Sequence, residues 1–125
     1  LECAVLGTDN PFASEVGEIL SCNDFYDYDA KYILGTSGLN IPANIPKEAS
    51  LEIRETAVKA FKALGCFGLS RVDFFLADNG KVYLNELNTM PGFTSISMYP
   101  KLMENLGIPY GELLDRLIKL AYERN

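Results

Sequence analysis

Two periods of apolar residues alternate along this chain, and the places where one gives way to the other lay out its elements. Leu1-Glu2-Cys3-Ala4-Val5-Leu6 reads as a strand up to Gly7, Thr8-Asp9-Asn10-Pro11 as a turn, and the stretch around Val16 to Leu20 as a second short strand completing a hairpin. From Ser21 to Asn44 the chain is polar and aromatic, with Phe25, Tyr26, Tyr28, Lys31 and Tyr32 followed by Gly35-Thr36-Ser37-Gly38 and Pro42. This reads as a long loop, and long loops in compact domains tend to carry function. Between Ser50 and Leu64 the residues Ile53, Ala57, Val58, Phe61 and Leu64 recur at helical spacing, and Gly65 supplies the stop. Leu69 to Leu76, the turn residues Asp78-Asn79-Gly80 and Lys81 to Leu87 form the strongest hairpin signal. Two more helices are predicted, Tyr99 to Leu106 ending at Gly107, and Tyr110 to Tyr122 with Leu113, Leu114, Leu117, Ile118 and Ala121 on one stripe. The helical stripes are assigned to core packing. This order predicts an α+β fold with helices on one face of a mostly antiparallel sheet.

The second hairpin concentrates charge. A two-residue Asn79-Gly80 turn sets Asp73 opposite Glu86 and Arg71 opposite Asn88. Residues two apart share a face, so all four project from one side, while Val72, Phe74, Asn85 and Leu87 take the other. Carboxylates directly across a strand pair repel, which calls for something positive between them. Mg²⁺ or Mn²⁺ suits an Asp, a Glu and an Asn amide oxygen and leaves positions for waters and phosphates. Arg71 alone is the rival, in a surface arrangement worth little. After Asn88 comes Thr89-Met90-Pro91-Gly92-Phe93-Thr94-Ser95-Ile96-Ser97-Met98. Its Pro-Gly turn lets a ligand approach Gly92 closely, and Ser97 fits an N-cap whose helix end can also hold a carboxylate.

Composition narrows the chemistry. The 125 residues suffice for one domain, and 48% hydrophobic with 22% charged residues is a globular balance. Eleven basic residues against seventeen acidic give a net charge of −6 with no basic stripe, which argues against nucleic acid as partner. The chain has no histidine, which excludes His-based triads and leaves oxygen ligands and hard cations. Cys3, Cys22 and Cys66 form neither a disulfide framework nor a zinc knuckle, and no apolar run approaches membrane-spanning length. A reducing cytoplasmic setting is expected. The opening on Leu1 within a strand-like run suggests a piece of something longer.

The residues Gly68-Leu69-Ser70-Arg71-Val72-Asp73-Phe74-Phe75 and Tyr83-Leu84-Asn85-Glu86-Leu87-Asn88-Thr89-Met90-Pro91-Gly92-Phe93-Thr94 resemble the signature of the D-alanine–D-alanine ligases, members of the ATP-grasp enzymes. The likeness continues through Ser95 to Pro100 and upstream through Glu2 and Phe25 to Tyr32, so it covers essentially the whole chain in order. The R-x-D and N-E-x-N-T-x-P-G pair is specific to these ligases, whereas E-x-N alone suggests only ATP-grasp enzymes generally.

The resemblance implies that residues 1–125 are the C-terminal part of an ATP-grasp domain, with the N-terminal domain and the first half of the ATP-grasp region absent. It implies a cytoplasmic, homodimeric full-length enzyme serving peptidoglycan precursor synthesis. ATP phosphorylates one D-alanine, and the amine of a second attacks the acyl phosphate. Asp73, Glu86 and Asn88 are expected to hold two Mg²⁺ on the ATP phosphates, with Mn²⁺ able to replace them. Arg71 and the Gly92 N–H are expected to form the oxyanion hole, and Ser97 with the Met98 N–H to grip the second D-alanine. Glu2 is expected at the ribose, Phe25 at the adenine and Lys31 at a phosphate, with Tyr32 closing the loop over the site. On this reading the chain alone has no ligase activity. The rivals are a non-catalytic metal- or nucleotide-binding module, and a relative that makes D-alanyl-D-serine or D-alanyl-D-lactate.

Overall fold

A computed structural model describes residues 1–20 and 38–124. The elements are β1 (Glu2–Gly7), β2 (Phe12–Ala13), β3 (Glu18–Ile19), β4 (Leu39–Asn40), α1 (Lys47–Ala63), β5 (Gly68–Leu76), β6 (Val82–Asn88), α2 (Met98–Asn105) and α3 (Tyr110–Glu123). Four strands make an antiparallel sheet in the order β2-β1-β5-β6, and β3 pairs with β4 in a separate two-stranded sheet. The α+β class expected from the sequence is the one found.

Helices cover both faces of the main sheet, where one face was expected. The reason lies in β1, whose Cys3-Ala4-Val5-Leu6 run is apolar on both sides and buried throughout. A strand without alternation needs a partner on each face. Cys3 and Val5 join Val72 and Phe74 against Ile53, Ala57 and Phe61 of α1. Ala4 and Leu6 meet Met98, Tyr99, Leu102 and Met103 of α2 and Leu113 of α3 on the opposite side. There the buried Tyr99 hydroxyl donates to the Val5 carbonyl at 2.9 Å, and burial raises the phenol's pKa well above its ordinary range.

Two stripes are narrower in space than in sequence. On α1 the buried line is Ala49, Ile53, Ala57 and Phe61, while Leu64 caps the helix and stays 69% exposed. The helix closes as Cys66 N–H reaches Phe61 O and Gly65 N–H reaches Lys62 O, with Gly65 at φ 67°. On α3 Leu113 is buried, Leu117 packs at its edge, and Leu114 and Ile118 remain exposed.

The first hairpin also differs from expectation. The partner of β1 is Phe12–Ala13, directly after the turn, and the chain then runs on beside β1 until Gly17 bridges Glu2. The Ser14 hydroxyl accepts from Ala4 N–H at 3.0 Å, so a side chain supports the ladder where the main chain departs. Glu18–Ile19 pairs with Leu39–Asn40, so the end of the stretch expected as loop is strand. Most of that stretch, with Cys22, lies outside the described residues.

Candidate active site

The charged hairpin keeps its expected register at the site and reaches it by another route. Arg71 pairs with Asn88, Val72 with Leu87 and Asp73 with Glu86. Near the tip, however, Phe74 pairs with Leu84, and the shift falls between Asp73 and Phe74. The turn holds three residues, Asp78 to Gly80, because Ala77 N–H bonds Lys81 O, Gly80 N–H returns to Ala77 O, and Gly80 takes φ 85°. Asn79 Oδ1 accepts from Lys81 N–H at 3.0 Å. Asn85 is therefore a bulge residue, and Leu84 opposes Phe74 in the place expected for Asn85. The longer turn and the bulge cancel, so Arg71, Asp73, Glu86 and Asn88 share one face.

Strand β1 adds a fifth member. Glu2 pairs with Asp73 as Asp73 pairs with Glu86, so three carboxylates stand in a row across three strands. Arg71 lies beside that row. Its Nε–H donates to Asp73 Oδ1 and an Nη2–H to Asp73 Oδ2, both at 2.9 Å, and the same Nε is 2.9 Å from Glu2 Oε1. Burial works against the guanidinium, but the Asp73 hydrogen bonds and the charges of Glu2, Asp73 and Glu86 outweigh it, so its pKa is raised and the group stays cationic. The Asn88 amide donates to Glu86 Oε1 at 3.2 Å and approaches Asp73 Oδ2 at 3.5 Å.

This donor set fits a hard divalent cation. Two carboxylates converge with an amide, and rotation of the Asn88 amide brings its oxygen to the place where its N–H groups now face both acids. Among the described residues no group of three His, Cys, Asp or Glu is arranged as a metal cage. A site of two carboxylates and one amide oxygen is what Mg²⁺ uses when phosphates and waters complete its shell.

The segment after β6 folds back on the same face as Ala4 and Leu6, because Phe93 packs into the α2 and α3 cluster. Its ring lies 5.8 Å from that of Tyr99 and 5.3 Å from that of Tyr110, and the Tyr110 hydroxyl donates to Phe93 O at 2.8 Å. These three aromatics fix the loop that carries Gly92. Sequence reasoning gives Phe93 a place in the motif and reads Tyr99 and Tyr110 only as helix starts, because contacts between segments this far apart leave no local signal. Ser97 is the N-cap of α2 by position, but its hydroxyl turns into the loop, accepting from Thr94 N–H at 2.9 Å and lying 2.8 Å from Thr94 Oγ1. Met98 is buried in the core beneath. No hydrogen bond among the described residues joins Gly92 or Ser97 to the charged row, and Phe25, Lys31 and Tyr32 lie outside those residues.

This antiparallel sheet with its charged hairpin is that of a ligase family's C-terminal region: the chain belongs to the D-ala D-ala ligase C-terminus family, matched over residues 1–119. Among its relatives, the D-alanine–D-alanine ligase of Acetivibrio thermocellus is 63% identical over 99% of this chain and 33% of its own length. The solved D-alanine–D-alanine ligase of Coxiella burnetii superposes with a TM-score of 0.81 at 42% identity, over 98% of this chain and 31% of that one. The VanG D-Ala:D-Ser ligase of Enterococcus faecalis does so with a TM-score of 0.79 at 44% identity, over 95% of this chain and 35% of that one. The chain thus spans about a third of the length of the relatives it matches.

Proposed function

We infer that this chain is the metal and oxyanion part of an ATP-dependent ligase that joins two D-alanines through an acyl phosphate, for peptidoglycan precursors in the cytoplasm. The observation that carries this reading is the shared face of Arg71, Asp73, Glu86 and Asn88 in a chain of this family. Asp73, Glu86 and Asn88 are the side chains to hold Mg²⁺ or Mn²⁺. When bound, such ions neutralise charge on the ATP phosphates and on the oxygens entering and leaving phosphorus. Arg71, kept cationic and half-buried, and the Gly92 N–H stabilise the oxygen that gains negative charge as the amine attacks the acyl carbon. Ser97 and the Met98 N–H orient the carboxylate of the second amino acid. Phe25, Lys31 and Tyr32 complete the reading as adenine contact, phosphate contact and lid, and the full-length enzyme acts as a homodimer.

The experiment is a chimaeric ligase in which this chain replaces the matching third of the Acetivibrio thermocellus enzyme. D-Alanine-dependent ADP release with D-alanyl-D-alanine as product supports the reading; a folded chimaera without ADP release rejects it. D-Serine and D-lactate belong in the same assay, because the VanG D-Ala:D-Ser ligase matches this segment as well as the Coxiella burnetii D-alanine–D-alanine ligase does. The 125-residue chain by itself is expected to release no ADP, since most of the relatives' length is not in it.

Gly92 offers a sharper test. Its backbone is not in the left-handed region, so a side chain there is crowded rather than strained: a Cβ would stand 3.0 Å from Ser97 Oγ, and that hydroxyl must give by a few tenths of an ångström. Gly92→Ala in the chimaera is expected to shift that hydroxyl and lower kcat/KM for the second amino acid by roughly severalfold to tenfold, with thermal unfolding little changed. Wild-type kinetics for this variant remove the Ser97 hydroxyl from the reaction; the Gly92 N–H, which alanine keeps, is outside this test.

A further inference from the structure

The resemblance sends Glu2 to a ribose, but the geometry gives its carboxylate a different task. Arg71 Nε stands 2.9 Å from both Glu2 Oε1 and Asp73 Oδ1, and it is Asp73 that receives the Nε–H. The side chains of Glu2 and Arg71 keep only 12% and 18% of their exposure, so their charges interact with little water between them. If Asp73 is to bind a cation, Arg71 must give it up, and the nearest carboxylate able to take the guanidinium is Glu2.

We propose that Glu2 is a positioning residue for Arg71, holding the guanidinium when Asp73 is committed to a divalent cation. The inference rests on the metal-site reading above. Charge balance favours it. A divalent cation between Asp73 and Glu86 matches those two carboxylates, while Glu2 Oε1 stays 2.9 Å from Arg71 Nε. Without Glu2, a half-buried guanidinium beside the cation lacks compensation, and it either repels the cation or clings to Asp73. Glu2 thereby strengthens cation binding without touching the ion. The guanidinium's planar fork keeps further N–H groups for an oxyanion.

The test is Mn²⁺ affinity, read from the electron paramagnetic resonance signal of free Mn²⁺. It is measured in wild type, Glu2→Gln, Arg71→Gln, the double variant and Asp73→Asn, each checked for folding by circular dichroism. Glu2→Gln is expected to weaken Mn²⁺ binding about tenfold when Arg71 is present, and by a severalfold smaller factor in the Arg71→Gln background. Equal losses in both backgrounds mean that Glu2 acts on the ion directly, and they overturn the proposal. So does a Glu2→Gln variant that keeps its Mn²⁺ affinity and loses only ADP binding in the presence of a chelator, which returns Glu2 to the ribose. Should Asp73→Asn bind Mn²⁺ as wild type does, the metal-site reading falls and this inference with it. A loss with Asp73→Asn and none with Glu2→Gln sinks the inference alone.

Discussion

Asp73→Asn in the chimaeric ligase is expected to lower kcat for D-alanine-dependent ADP release by about 10²- to 10³-fold, the range for removing one preorganised charge from a reacting centre. Its thermal unfolding midpoint should hold or rise. Asn keeps the shape of Asp and one oxygen for Arg71, which now bonds both Asp73 oxygens at 2.9 Å. It removes the middle carboxylate from the Glu2, Asp73, Glu86 row, where like charges on neighbouring strands repel. The opposite signs on activity and stability are the point, because a site that stores repulsion for a ligand gains stability when the repulsion goes. Glu86→Gln should move both quantities in the same directions. Activity within tenfold of wild type, or a fold lost along with the activity, sinks the assignment.

The hairpin was legible because its turn residues and its charges lie within one short stretch of chain. Even so, a two-residue turn was read where Asp78 to Gly80 form a three-residue one, and the site register survives only because Asn85 bulges. Turn type depends on the φ of a single glycine, and a bulge leaves no mark in the period of a seven-residue strand. The place of Glu2 in the row was not legible from residue pattern at all. It depends on β1 pairing with β5 across most of the chain, and strand partnership over such a separation is decided by the packing of both faces. The continuous apolar run in β1 did carry the message that both faces would be covered; reading it as half of a local hairpin hid that. For the helices, spacing found each element but overstated the buried width, since apolar residues at a helix end or margin share the period without sharing the burial.

Phe61→Ala is expected to cost about 3–5 kcal/mol in urea unfolding, and Leu64→Ala less than about 0.5 kcal/mol, although the two residues belong to one sequence stripe. Phe61 is fully buried with Ile53, Ala57, Cys3, Val5, Val72 and Phe74, so truncation opens a cavity in the α1 layer. Leu64 sits at the C-cap and is 69% exposed. Domains hold about 5–15 kcal/mol in reserve, so the larger loss takes up much of it. The consequence reaches the site through β5. Val72 and Phe74 face α1 while Arg71 and Asp73, alternating with them, belong to the charged row on the other face, so one strand carries core packing on one side and site geometry on the other. Phe61→Leu, a milder change, should keep the fold and still weaken Mn²⁺ binding by a few-fold, because the strand that aims Asp73 loses part of its backing. Mn²⁺ affinity unmoved in a measurably destabilised Phe61→Leu would show that the hairpin positions the site without help from α1.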